Sequence, residues 1–255
     1  MDLSQYSKFI VLLAERSSEI IKSYFLNPNL QIETKSDASP VTQADKEAEE
    51  VMRKLIRKNY PSHGIIGEEY GSEKESAEFV WTMDPIDGTK SFVSGVPLFG
   101  TMISLCYQGQ PILGLIHQPI LNMLCLGTNK STQVNGKRVR MRKITQLSQA
   151  SLLTSDVKNI ETYQNKQNFD LLVKKTGLFR TWGDAYGYLM IAAGWADILI
   201  DAIISKWEIC AVLPIINGAG GVVTSWGGGN ALLDGSCVVA HKNIHTQVVR
   251  ILNSN

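Results

Sequence analysis

Apolar residues recur at spacings of three and four in the first 25 positions: Leu3, Tyr6, Ile10, Leu13, Ile20, Ile21 and Tyr24, with Lys, Glu and Ser between them. That period predicts an amphipathic helix over 3–25, ended at Asn27-Pro28. A second helix is predicted to start at Thr42, where Thr42-Gln-Ala-Asp45 has the form of a capping box and 46–59 are good helix formers. The polar stretch KSDASPVT between them reads as a loop. After Tyr60-Pro61 the pattern changes to short apolar runs. Gly64-Ile-Ile-Gly67 reads as a buried strand leading into Glu68-Glu69, and Phe79-Val-Trp-Thr-Met83 as another leading into Asp84. Runs at 101–107, 112–117 and 123–127, joined by Gly-containing turns, predict an antiparallel meander, with Asn135-Gly136 as a hairpin-type turn.

From about residue 150 the pattern alternates. Strands are predicted at 151–154, 179–182, 196–200, 221–224 and 238–240, and helices near 169–175, 184–193 and 208–218. The fold class is therefore α/β (α+β). The lobe boundary is placed near residue 140, giving an α+β lobe over 1–140 and an α/β lobe over 141–255. No repeat or low-complexity tract is visible.

Composition narrows the partners. In 255 residues, 25 basic side chains balance 24 acidic ones, so no broad basic surface exists for nucleic acid or anionic membrane. No apolar run approaches the roughly 18–20 residues of a membrane span, and the N-terminal segment carries acids where a signal peptide is basic. These features predict a cytoplasmic protein acting on a small molecule. The four cysteines are widely spaced in apolar settings and read as buried small hydrophobes. The four histidines form no metal-ligand spacing, and Trp81, Trp182 and Trp207 read as core residues.

The chemistry concentrates in Asp84-Pro-Ile-Asp87-Gly88-Thr89. Two carboxylates three apart on a tight turn, with the Ile86 carbonyl between them, offer the hard oxygen ligands that Mg²⁺ prefers. The Gly88 and Thr89 N–H groups, at a helix start, suit a phosphate. An Asx-type turn with a cap explains one of these acids well, but the two together with Glu68-Glu69 badly. Asp45 fits the N3 position of its capping box, and Asp184 fits an acid at a helix start.

GEEYG at 67–71, DPIDGT at 84–89, WGDAYGY at 182–188, GWAD at 194–197, and Trp207-Glu208 followed by GAGG at 218–221 together resemble the inositol monophosphatase family of Mg²⁺-dependent, lithium-sensitive phosphomonoesterases. The likeness runs from about residue 35 to Gly221. It implies a layered α/β/α/β/α sandwich, usually homodimeric, with two to three Mg²⁺ ions in a site between the lobes. Carried over by position, Glu68, Asp84 and the Ile86 carbonyl would hold one Mg²⁺. Asp84, Asp87 and Glu208 would hold a second, and a third, loosely held ion would share Glu68. Thr89 and Asp45 match the pair that orients and deprotonates the attacking water. Asp87, Gly88, Thr89, Gly183, Asp184, Ala185, Asp201 and Glu208 would meet the substrate. One departure is Glu208, where the family has Asp; the extra methylene shifts the carboxylate by more than about 1 Å in a site wanting octahedral geometry. WGD-x-YGY resembles the histidinol-phosphatase branch. Acids at 184 and 201 suit a cationic alcohol, so the reading is hydrolysis of L-histidinol phosphate. The alternatives are an inositol-1-phosphate or sugar-phosphate phosphatase, and a weakened member acting as a metal- or phosphate-binding module.

Overall fold

The structure is a computed structural model that describes residues 2–34 and 40–254. In chain order it has α1 (Ser4–Tyr24), β1 (Ile32–Thr34), β2 (Pro40–Thr42), α2 (Gln43–Asn59), β3 (Gly64–Gly67), β4 (Gly71–Glu73), β5 (Phe79–Asp87), α3 (Thr89–Val93), β6 (Gly100–Tyr107), β7 (Gln110–Gln118), β8 (Met123–Gly127), β9 (Thr132–Val134) and β10 (Lys137–Val139). There follow β11 (Ser151–Leu153), α4 (Val157–Tyr163), α5 (Lys166–Lys175), β12 (Leu178–Arg180), α6 (Asp184–Ala192), β13 (Ile198–Asp201), α7 (Lys206–Gly218), β14 (Gly221–Thr224), α8 (Ala231–Asp234), β15 (Cys237–His241) and α9 (Lys242–Leu252).

Two sheets organise these elements. The larger runs β10-β9-β8-β7-β6-β5-β3-β4 and the smaller β12-β11-β13-β15-β14. The predicted meander is the antiparallel run from β5 to β10, and both Asn135 (φ 48°) and Gly136 (φ 76°) are left-handed in its last hairpin, as that turn chemistry requires. Helices α1 and α2 cover one face of the larger sheet through a core containing Ile10, Leu13, Met52, Ile56, Trp81 and Leu105. Helices α6 and α7 lie between the sheets, burying Tyr188, Leu189, Val212 and Ile215 against Met102, Ile116, Leu199 and Val239. Helices α5 and α9 pack on the outer face of the smaller sheet, with Phe169, Leu172, Ile244 and Val248 over Leu152, Ile198 and Ala240. The layer order is thus α/β/α/β/α. The α7 backbone meets the sheet so closely that a Cβ on Gly114 would collide with the Ala211 carbonyl, and one on Gly127 with Ile215.

Four local readings change. The segment 35–39 of the KSDASPVT loop lies outside the described residues, and 40–42 form a strand pairing with β1 rather than loop. Asp84-Pro-Ile-Asp87 is the bulged end of β5, not a turn beyond it: Asp84 pairs with Met102, Asp87 with Gly100, and the register slips between them. Trp182 is 39% exposed, with the Arg180 guanidinium 5.7 Å from its ring centre, whereas Trp81 is fully buried. The C-terminal helix α9, unread in the sequence, turns Ile244, Val248 and Leu252 inward.

Candidate active site

Strands β3 and β5 are parallel, pairing Gly67 with Met83, so their C-terminal ends lie side by side and deliver Glu68 and Asp84 to one edge of the sheet. The Glu68 N–H donates to the Met83 carbonyl at 3.2 Å. Asp84 is 1% exposed, and its Oδ1 accepts from the Ile86 N–H at 3.0 Å. The Asx-type contact is therefore real, and it turns the bulge so that Asp87 reaches the same point. Thr89 Oγ1 donates to the Ile86 carbonyl at 3.0 Å. Between them Gly88 has φ 92°, and a Cβ there would sit 3.0 Å from Asp184 Oδ2 and 3.1 Å from the Leu98 carbonyl. Any side chain at that crowded, left-handed junction would be strained.

Glu208 arrives from the other half of the chain. It is the N3 residue of α7, and its Oε2 accepts from the Ser205 N–H at 2.6 Å, one arm of a capping box. The same first turn is pinned to β5, because the Trp207 carbonyl accepts from Thr82 Oγ1 at 3.2 Å. Asp84, Asp87 and Glu208 then each present an oxygen, all within 4.8 Å of one another. Hooked back to the Ser205 N–H, the Glu208 side chain still keeps its carboxylate in the cluster.

Above this cluster opens a cleft of about 490 Å³, lined by Glu68, Asp87, Asp184, Asp201 and Glu208 together with Lys90, Ser155, Asp156, Asn159, Tyr163, Tyr188 and Ser205. That volume suits a small ligand. Lys90 Nζ on α3 meets Asp156 Oδ2, the N-cap of α4, at 3.0 Å across the mouth. Ser155, at the end of β11, organises the far wall: its N–H and Oγ donate to Asp201 Oδ1 at 3.2 and 2.8 Å, and its Oγ accepts from the Asp184 N–H at 2.8 Å. Tyr188 donates its hydroxyl to Asp201 Oδ2 at 2.6 Å. Gly183 lets α6 start against Ser155, with which any Cβ there would collide, and buried Ala185 faces Gly100. Asp184 is held at φ 51°, a left-handed conformation rather than the helical one that the sequence suggests.

Crowded acids out of water hold their protons. Burial, then the charges of Glu68, Asp87 and Glu208, push the Asp84 carboxyl well above its usual range. Burial and the charges of Glu208 and Asp184 do the same to Asp87. Burial lifts Glu208 to about 8, opposed by the Ser205 N–H and aided by Glu68, and lifts Asp184 to about 7, aided by Asp201. Asp201 is raised by burial against the pull of Tyr188 and Ser155. An oxygen-only set of closely spaced carboxylates that resist losing protons fits a bound hard cation.

Asp45 is 1% exposed at the start of α2, where its Oδ2 accepts from the Thr42 N–H at 2.8 Å in the predicted capping box. Asp45, Thr89, Gly88, Gly183 and Ala185 do not line the cleft among the described residues; Asp84 and Ile86 lie buried beneath it. Ser155, Tyr188 and Ser205 were not singled out from sequence. Tyr188 lies within WGDAYGY, but Ser155 carries no signal beyond its place at the end of a parallel strand, where α/β sheets build sites.

Residues 2–255 match the model of the family described as inositol monophosphatase. The chain belongs to that family. It is accordingly a phosphoric monoester hydrolase, and the family is metal-dependent. It is 40% identical over 238 residues to the bifunctional phosphatase IMPL2, chloroplastic, of Arabidopsis thaliana, covering 92% of this chain and 68% of that protein. It is 36% identical to the histidinol-phosphatase of Chlorobaculum parvum, covering 91% and 90%. The solved inositol monophosphatase from Zymomonas mobilis superposes with a TM-score of 0.88 at 30% identity, covering 99% of each chain. This family fold is the five-layered sandwich described above.

Proposed function

We propose that this phosphatase hydrolyses L-histidinol phosphate to L-histidinol and phosphate, with Mg²⁺ as its metal. The observation that carries the substrate reading is the pair Asp184 and Asp201, both lining the cleft beside the acid cluster. A cationic alcohol with ammonium and imidazole groups complements that wall, whereas a neutral polyol leaves two acids uncompensated. The 36% identity to a histidinol-phosphatase over most of both chains supports it.

Glu68, Asp84 and the Ile86 carbonyl would hold one Mg²⁺, and Asp84, Asp87 and Glu208 a second; a third would share Glu68. The bound metal supplies an acidified water and neutralises phosphoryl charge. The chain does the positioning. Thr89 Oγ1, its own proton directed at Ile86 O, keeps lone pairs to accept from the attacking water, and Asp45 is assigned as the base that takes the proton. The Gly88 and Thr89 N–H groups would meet the phosphate at the base of the cleft, while Asp184, ordered by Ser155 and flanked by Gly183 and Ala185, would read the alcohol. Asp201 orders Ser155 and adds negative charge behind Asp184. We take residues 1–140 and 141–255 as the two lobes, and the working form as a cytoplasmic homodimer. Among the described residues, no helix is long and apolar enough to cross a membrane.

Phosphate release from purified protein tests this. Histidinol phosphate should be turned over faster than inositol 1-phosphate or sugar phosphates, only with Mg²⁺. Equal or slower turnover than inositol 1-phosphate rejects the substrate, and absence of all hydrolysis favours a binding module.

A further inference from the structure

We propose that Glu49, on α2, is the positioning residue that holds Glu68 in ligating geometry, through a buried Glu49–Arg53 clamp on the β3–β4 loop. The inference rests on the reading of Glu68 as a metal ligand. Gly67 and Gly71 pair across the hairpin, so Glu68, Glu69 and Tyr70 form a three-residue loop closed by Gly71 at φ 66°.

Every N–H of that loop has a fixed acceptor. Glu68 N donates to the Met83 carbonyl at 3.2 Å, Glu69 N to Glu49 Oε2 at 2.8 Å, and Tyr70 N to Glu49 Oε1 at 3.2 Å. Glu49 is fully buried, and its carboxylate lies where a Cβ on Gly67 would be, so the glycine is what lets the clamp reach the loop. One turn along α2, Arg53 Nε donates to Glu49 Oε1 at 2.7 Å; its Nη2 donates to the Gly71 carbonyl and its Nη1 to Glu73 Oε1 at 3.1 Å. The pair therefore grips both flanks of the loop.

A buried ion pair of this kind is weak evidence for stability, since well-packed apolar residues often do as well. What this one accomplishes is local. Glu68 and Asp84 leave neighbouring parallel strands, Gly67 pairing with Met83, so an untethered loop would leave Glu68 free to move off the acid with which it must share a cation. Backbone bonds at residues 68, 69 and 70 fix the loop, and Glu49 provides two of the three. Groups that orient a metal ligand in this way commonly govern affinity about 10- to 100-fold.

Mg²⁺ titration calorimetry on Glu49→Gln, Glu68→Gln and their double variant, with melting temperatures of the metal-free proteins, is the test. Glu49→Gln should weaken Mg²⁺ binding about tenfold or more, and should add nothing once Glu68 is already Gln. A Glu49→Leu/Arg53→Met protein, which replaces the pair by apolar volume, should show the same loss while melting close to the unaltered protein. Should that protein not fold, the Glu49–Glu68 cycle decides alone. Undiminished Mg²⁺ affinity in Glu49→Gln, or a loss that simply adds to that of Glu68→Gln, overturns the proposal. Undiminished affinity in Glu68→Gln would instead reject Glu68 as a ligand.

Discussion

The Ser205 N–H donates to Glu208 Oε2 at 2.6 Å, so the carboxylate that α7 contributes to the acid cluster also caps the helix that carries it. One side chain thus sets both the helix start and an oxygen of the acid cluster.

Glu208→Gln keeps the shape and a cap acceptor but removes the charge. At pH 8 the metal-free variant should melt higher than the unaltered protein, because an acid whose charge is disfavoured by burial, and then by Glu68, Asp201 and Asp184, is gone. Its stabilisation by Mg²⁺ should shrink by about 1 kcal/mol or more. Glu208→Asp should retain Mg²⁺ dependence, and Glu208→Ala should lose it; melts with and without Mg²⁺ and a Mg²⁺ titration of activity decide both.

The pH dependence of the metal-free protein has a definite sign. Glu208, pushed up to about 8, and Asp184, up to about 7, keep protons in the folded state that the unfolded chain releases near pH 4. The folded state binds more protons between those values, so stability is greatest below about pH 4 for these groups, falls through the neutral range and is lost above pH 8. Bound Mg²⁺ favours the carboxylates, so the gap between melts with and without Mg²⁺ should widen from pH 5.5 to pH 8.5. A gap that narrows would remove Glu208 from the metal site.

Asp184→Asn should raise KM for histidinol phosphate about tenfold, the worth of a charged hydrogen bond near 1.5 kcal/mol, and leave inositol 1-phosphate turnover unchanged. An unaltered KM would contradict recognition by charge.

Gly183→Ala should cost roughly 1–3 kcal/mol in urea unfolding. Its methyl would collide with Ser155 and part the start of α6 from the end of β11, so histidinol-phosphate KM should rise with the loss of stability.

Much of this was legible before any coordinates. The Thr42 capping box, the two strands that lead into Glu68 and Asp84, and the meander follow from period and cap chemistry, and DPIDGT marks the acids. The Asp84–Asp87 segment misled as a turn because Asp, Pro and Gly are turn formers; pairing with β6 draws it into the sheet and stores the irregularity as a bulge. Ser155 and Glu49 escaped because neither sits in a pattern. Each matters through bonds to backbone far off in the chain, Glu49 to residues 69 and 70 and Ser155 to Asp184 and Asp201.

Helix α7 comes late in the chain yet packs against strands β5 to β8 of the first sheet. During synthesis, all eight strands of that sheet emerge before it, so the part of their apolar face that α7 covers waits while some seventy further residues are made. The same helix that finally shields it brings Glu208. A growing chain therefore cannot assemble its full set of clustered acids ahead of its own core, and a nascent or truncated product lacking α7 has neither a covered sheet nor the Asp84–Asp87–Glu208 cluster.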